Sequence, residues 1–262
     1  MLIRLAYLLP FSYFWATRLR NGSIGFHLLF EWLAAAVVVV ALDPANAADG
    51  LCIALLSYLA FISLYEIGYI ANDLFAARKE ADGRLRGPQG TPLGWVAGWV
   101  LARLAVFALV SYVLHKAGDV MWWALFGGLA VVFAMHNHLR ERELKAGTFL
   151  WLSWYRFMAP IMFAVPVAYL PGIAFGCAIT YSAFRQFGYL DSKGLLVMPG
   201  RKRPIFRWSF FMWPLLAAVV LAPIAEARGY VVLVVYFAVV ASVGAVAMYA
   251  RERRGRGPDV RG

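Results

Sequence analysis

Residues 65–80 read Tyr65-Glu66-Ile67-Gly68-Tyr69-Ile70-Ala71-Asn72-Asp73-Leu74-Phe75-Ala76-Ala77-Arg78-Lys79-Glu80. An apolar run ends here in an amide, carboxylates and two cations. Up to Asn72 the composition is that of a membrane helix; beyond Arg78 it is that of a hydrated loop. A charged cluster therefore sits where lipid meets water. Ionisable groups at such a depth cost free energy unless they are partnered, which marks them as candidate functional groups.

The surrounding sequence has the same character. The chain has 262 residues, is 63% hydrophobic and has a mean hydropathy of +0.69; a soluble domain is nearer half apolar. Runs of roughly 20 apolar residues, enough to cross a bilayer, fall at 24–42, 49–73, 93–115, 119–138, 147–170, 171–190, 206–226 and 229–250. The expected fold is all-α, a polytopic membrane bundle of about eight helices forming one body over residues 24–250. Open strands are excluded, because backbone groups in lipid must pair within their own segment. Residues 1–23 are expected to form a cytoplasmic or interfacial segment. Leu5 to Ala16 is too short to span and lacks a small-residue cleavage site. Residues 251–262 read as a basic cytoplasmic tail.

Charge placement sets the expected orientation. With a cytoplasmic N-terminus, 21 of the 25 Lys and Arg fall on inside segments. The other four are Lys116 and Arg228 outside, and Arg103 and Arg156 within spans. The chain is expected in a bacterial inner membrane, and this positive-inside bias implies an even number of spans with both termini cytoplasmic. It also accounts for most of the net charge of +11 without nucleic acid. The tail suits anionic membrane lipids. Cys52 and Cys177 lie in apolar spans and read as packing residues without a disulfide.

Chemistry is expected in the inside loops after the second, fourth and sixth spans. The second span puts Glu66, Tyr69 and Asp73 on one face, at i, i+3 and i+7, and its loop adds Arg78, Lys79 and Glu80. Around the fourth and fifth spans lie His136, His138, Arg140, Lys145 and Arg156. The sixth span ends with Arg185, Asp191 and Lys193. Acids and bases mixed at one membrane face suit a diphosphate. Carboxylates hold Mg²⁺, which bridges to phosphate oxygens, and Arg and Lys neutralise the remaining charge. Plainer roles stand beside this. Arg140 to Glu143 also read as a solvated turn. His136 and His138, two apart, point to different faces. Glu31 reads as a buried, hydrogen-bonded or protonated group. Gly127 and Gly128 read as sites of close helix contact.

On these residues the chain resembles the UbiA superfamily of intramembrane prenyltransferases. That family's first motif has the form Asn-Asp-x-x-Asp-x-x-x-Asp. Asn72 and Asp73 match its start and Glu80 its last position, while Ala76 replaces the middle acid. Asp191, Lys193, Gly194 and Pro199 look like the end of the second motif, and Phe187 stands at its preceding acidic position. The resemblance implies Mg²⁺ on Asp73, Glu80 and Asp191 as the catalytic acids. It implies contacts from Asn72, Tyr69, Arg78, Lys79, Arg140, Lys145, Arg156, Arg185 and Lys193 to an isoprenyl or polyprenyl diphosphate, whose isoprenyl group passes to an unknown acceptor. Tyr65, Tyr69, Tyr155 and Tyr181 are then expected to stabilise a carbocation through their faces. The thinned acidic motifs leave two alternatives: transfer of a phosphoribosyl group onto a polyprenyl phosphate, or binding of a polyprenyl lipid without catalysis.

Overall fold

A computed structural model describes residues 2–20, 22, 24–79, 83 and 85–255. The described residues form helices and turns, with no strand among them. Among the described residues, seven helical segments are long and apolar enough to cross a membrane, the mark of an integral membrane protein. The chain divides into two compact units, Met1–Pro166 and Val167–Gly262.

Unit 1 opens with α1 (Leu2–Ala6) and α2 (residues 12–19), then α3 (Ile24–Leu42), α4 (Ala47–Leu74), α5 (Leu93–Val113), α6 (Val120–His138) and α7 (Arg142–Ile161). Between membrane helices there is little hydrophobic driving force, so van der Waals fit carries the packing. An aromatic cluster supplies it here. Phe61, Tyr65, Phe107, Trp122, Phe126 and Phe133 are buried together. Phe133 meets Tyr65 edge-on at 4.7 Å between ring centroids, and Trp122 meets Phe126 at 4.6 Å.

Two sequence expectations change in this unit. The loop after the fourth span is only Leu139–Glu141; Arg142, Glu143 and Lys145 already belong to α7. And α7, 20 residues long, is missing from the seven apolar segments because it carries Arg142, Glu143, Lys145 and Arg156. It nevertheless runs antiparallel to α6 along its length. Thr148 Oγ1 lies 2.8 Å from His136 Nδ1 at one end, and Phe163, just past α7, lies 5.0 Å from Trp122 at the other. Midway, a side chain at Gly128 would collide with Tyr155, whereas Gly127 faces open space. Of the expected glycine pair, one makes the close contact.

The start of α6 is set by its N-cap. The Asp119 carboxylate accepts from the Met121 N–H at 2.9 Å and the Trp122 N–H at 3.3 Å, and pairs with Lys116 Nζ at 2.7 Å. The Lys116 hydrogen bond holds the Asp119 carboxyl below the usual carboxylate range, aided by the cap N–H bonds and opposed by slight desolvation. Asp119→Ala is expected to cost about 1 kcal/mol. Because the folded pKa is depressed, the contribution is present above the unfolded value of about 4 and is lost as pH falls through the lower folded value. Unfolding midpoints of the two proteins, compared at neutral and acid pH, check this: the gap closes in acid.

Unit 2 contains α8 (Val167–Ser192), α9 (Pro204–Leu221) and α10 (Arg228–Gly255). Gly172 and Gly176, spaced as in small-xxx-small pairs, let α8 lie against α10. A Cβ at Gly172 would stand 2.9 Å from the Tyr230 backbone N, and one at Gly176 would stand 3.2 Å from the Tyr230 ring. The Tyr230 hydroxyl donates to the Pro214 carbonyl at 2.8 Å, tying α10 to α9. Both cysteines are free; Cys177 is buried here, while Cys52 of unit 1 lies on an exposed face.

Candidate functional site

The N-terminal segment is packed into unit 1. Tyr7, Tyr13, Phe14 and Leu19 are buried. The chain turns through Phe11 in the left-handed region (φ 74°), and α2 begins without a local side-chain cap. The first N–H groups of a helix have no partner within it, and here a carboxylate from another helix provides one. Glu66 of α4 accepts from the Phe11 N–H at 3.0 Å and the Phe14 N–H at 2.6 Å. Arg103 of α5 completes the group. Its Nε and Nη2 lie 2.9 and 2.7 Å from Glu66 Oε2, and its Nη1 donates to the Tyr7 carbonyl at 2.8 Å. Trp99 Nε1 donates to the Arg4 carbonyl at 2.9 Å.

One and two turns further along α4, the same face meets α2 again. Arg18 grips Asp73 with both terminal nitrogens, Nη2 to Oδ1 at 2.7 Å and Nη1 to Oδ2 at 3.0 Å. The Tyr13 hydroxyl adds a 3.2 Å bond to Oδ2 and Asn72 Nδ2 a 3.2 Å bond to Oδ1. Asp73 is fully buried. Burial first, and the neighbouring Asp73 carboxylate second, push the Tyr13 phenol far above its ordinary range, so it stays a donor. The Arg18 guanidinium also lies over the Tyr69 ring at 4.2 Å.

Tyr69 connects this group to α7. Its hydroxyl accepts from Arg156 Nη2 at 2.6 Å. Arg156 lies over the faces of Tyr65 and Phe14, at 4.6 and 4.9 Å, and its Nη1 is 3.6 Å from Glu31, which pairs with His27 Nδ1 at 2.8 Å. Glu31 sits in a π-helical turn of α3 (Leu28–Trp32), and Arg18 in one that closes α2 (Trp15–Leu19). Such turns recur at functional sites. Glu31 and Arg156 also help line a mainly apolar cavity of about 380 Å³ with Phe11, Trp32 and Tyr58.

The other face of α4 opens on a second cavity, of about 550 Å³. Ala71, Phe75, Ala134 and Leu139 give it an apolar wall; Lys79, Asn137, His138, Arg140 and Glu141 give it a polar one. Asn137 is fixed by donating to the Gly68 carbonyl at 3.0 Å. Lys79 and Arg140, 61 positions apart in the chain, are thus brought to one mouth. Arg78 is exposed and donates to Gln89 at 2.9 Å, and Lys145 is buried in the first turns of α7.

The remaining expected residues belong to unit 2. Asp191 accepts from Arg201 Nε at 2.9 Å and from the Met198 N–H at 3.2 Å. Arg185 donates to the Tyr181 hydroxyl at 2.8 Å and lies over its ring at 5.5 Å. Lys193 and Gly194 form the stop of α8. Gly194 has φ 69°, its N–H bonds the Asp191 carbonyl at 3.2 Å, and the Leu195 N–H bonds the Leu190 carbonyl at 2.9 Å. That is a Schellman cap, in which glycine takes the left-handed position. Glu80 lies outside the described residues. Among those described, no three His, Cys, Asp or Glu side chains come together as a metal site. Each oxygen of the buried Asp73 already accepts from two protein donors, an arrangement that does not fit a divalent cation on that residue.

The sequence pointed to Tyr69, Asp73, Lys79, Arg140 and Arg156, but treated Arg18 as a topology charge and missed Tyr13 and His27. A signal for the pairing existed. Glu31, Glu66, Arg103 and Arg156 are two acids and two bases within apolar segments, and buried ions require partners. Comparisons with known protein families, with curated proteins and with solved structures return no match.

Proposed function

We propose that this membrane protein is a UbiA-like prenyltransferase-type enzyme that binds an isoprenyl or polyprenyl diphosphate at the Lys79–Arg140 mouth and passes the isoprenyl group to an acceptor. The observation that carries this is the second cavity, where two cations face an apolar wall at the end of α4. An amphiphile with an anionic head and a hydrocarbon tail matches both surfaces. In the reaction the allylic C–O bond breaks, and the diphosphate leaves with the electron pair. The acceptor nucleophile then bonds to the carbon and loses a proton. Lys79 and Arg140 act on the leaving group by neutralising the negative charge that develops on it. Counting α7 as an eighth crossing returns both termini to one side, in keeping with the cytoplasmic orientation expected from the charges.

A specific observation favours a second function, lipid binding without transfer. The faces of Tyr65, Tyr69 and Tyr181 already carry the guanidiniums of Arg156, Arg18 and Arg185, so three of the four aromatic faces expected to meet a carbocation are occupied. One experiment separates the two. Purified protein is incubated with farnesyl diphosphate and candidate acceptors, and both bound lipid and released diphosphate are measured. Release above the protein-free rate supports transfer. Saturable binding without release supports the second function. Equal binding of farnesol and farnesyl diphosphate counts against both, because the cations would then contribute nothing.

A further inference from the structure

We propose that Arg18 occupies at Asp73 the place that a divalent cation would take, so that this chain binds its lipid diphosphate with no metal ion on Asp73. The inference rests on the function proposed above, through the likeness of Asn72-Asp73 to a metal-binding motif, and it departs from what that likeness implies.

An ionised carboxylate offers about four lone-pair sites. In Asp73 four donors fill them. Oδ1 accepts from Arg18 Nη2 and Asn72 Nδ2, and Oδ2 accepts from Arg18 Nη1 and the Tyr13 hydroxyl. The carboxylate is fully buried, so a metal could reach it only by displacing the guanidinium. Two parallel N–H···O bonds form the strongest pairing that a side chain makes with a carboxylate, and Arg remains charged at every working pH.

Arg18 is also held from behind. Its helix is pinned where it starts by Glu66, which bonds the Phe11 and Phe14 N–H groups. The chain before it is pinned by Arg103 on the Tyr7 carbonyl and Trp99 on the Arg4 carbonyl. Moving Arg18 off Asp73 therefore means dislodging a packed segment tied by Glu66, Arg103 and Trp99. Against that stands one carboxylate, and Mg²⁺ sheds water reluctantly and is usually held by one or two carboxylates together with substrate phosphates. The comparison favours the guanidinium. The Ala76 position points the same way: the middle acid of the resembling motif, which would share a metal with Asp73, is a methyl group here.

The test uses the full-length protein in detergent, without lipid, titrated with Mn²⁺ and followed by electron paramagnetic resonance. The expected result is the same spectrum for the unmodified protein and for Asp73→Asn. A bound Mn²⁺, one per chain, that is present in the unmodified protein and lost in Asp73→Asn overturns the proposal. If Asp73→Asn does not fold, Arg18→Gln provides the second arm. Mg²⁺ is expected to raise the unfolding midpoint of Arg18→Gln, whose Asp73 is released, and to leave that of the unmodified protein unchanged. Stabilisation of the unmodified protein by Mg²⁺ to the same degree overturns it. Farnesyl diphosphate binding is then measured in Mg²⁺ and in EDTA. A loss of about tenfold or more in EDTA that Asp73→Asn abolishes contradicts the inference, whereas the same response to EDTA in the unmodified protein and in Asp73→Asn supports it. Failure to bind farnesyl diphosphate under either condition sinks the proposed function, while the lipid-free Mn²⁺ titration still decides the inference.

Discussion

Glu66→Ala is expected to lower the stability of unit 1 by about 3–5 kcal/mol, the range found when one partner of a buried ion pair is removed. Glu66 and Arg103 both have fully buried side chains. Truncating Glu66 leaves the Arg103 guanidinium facing a void and orphans the Phe11 and Phe14 N–H groups that start α2. The damage is therefore expected to spread to the N-terminal segment, so that protease cuts before Leu19 at concentrations that leave the unmodified protein intact. Replacing both partners, as Glu66→Leu with Arg103→Leu, removes the buried charges together and is expected to recover part of the loss. Thermal unfolding in detergent, with mass spectrometry of the proteolytic fragments, measures both effects. A change of only about 0.5 kcal/mol, as for an ordinary surface substitution, would show that Glu66 does not anchor the segment.

Lys79→Ala combined with Arg140→Ala is expected to weaken farnesyl diphosphate binding by about 100-fold, roughly tenfold for each cation. Hydrogen bonds to charged groups contribute about 1.5–3 kcal/mol, and the exposure of both side chains argues for the low end. Because both are exposed, the unfolding midpoint is expected to stay close to that of the unmodified protein. Added salt should narrow the difference in affinity, since exposed charges are screened. Arg78→Ala is the internal control. That side chain is engaged with Gln89 and does not line the cavity, so its loss should change the affinity little. An equal loss from Arg78→Ala would mean that general surface charge, and not the mouth, draws the lipid.

Much of the architecture was legible because membrane helices announce themselves by composition. The boundaries of α3, α5 and α6 fall within a few residues of the apolar runs. The fifth run was harder, since α7 begins at Arg142 within charged sequence and buries Lys145 and Arg156 against its neighbours; hydropathy averages over a helix and does not register which face is polar. The face of α4 carrying Glu66, Tyr69 and Asp73 could be read from helical spacing alone, and all three do meet the N-terminal segment. What met them could not. Arg18 lies 55 positions from Asp73, and nothing local distinguishes it from a charge that sets topology.

The second motif teaches a different lesson. Lys193-Gly194 suggested the end of a family motif from sequence, yet a basic residue and a glycine at a helix terminus also make a good helix stop, and here they form one. At Asn72-Asp73 the carboxylate is filled by an arginine from the N-terminal segment. By contrast, Lys79 and Arg140 come to line one cavity only through folding, which joins the end of α4 to the turn between α6 and α7.

The most direct test of the account is to locate the lipid. A photoactivatable isoprenyl diphosphate analogue, cross-linked to the purified protein and competed with farnesyl diphosphate, identifies the contacting peptides by mass spectrometry. Competable label on the segments 71–79 and 134–141 is the predicted result. Competable label confined to other segments, or label that farnesyl diphosphate does not displace, would contradict the assignment of the Lys79–Arg140 mouth as the binding site.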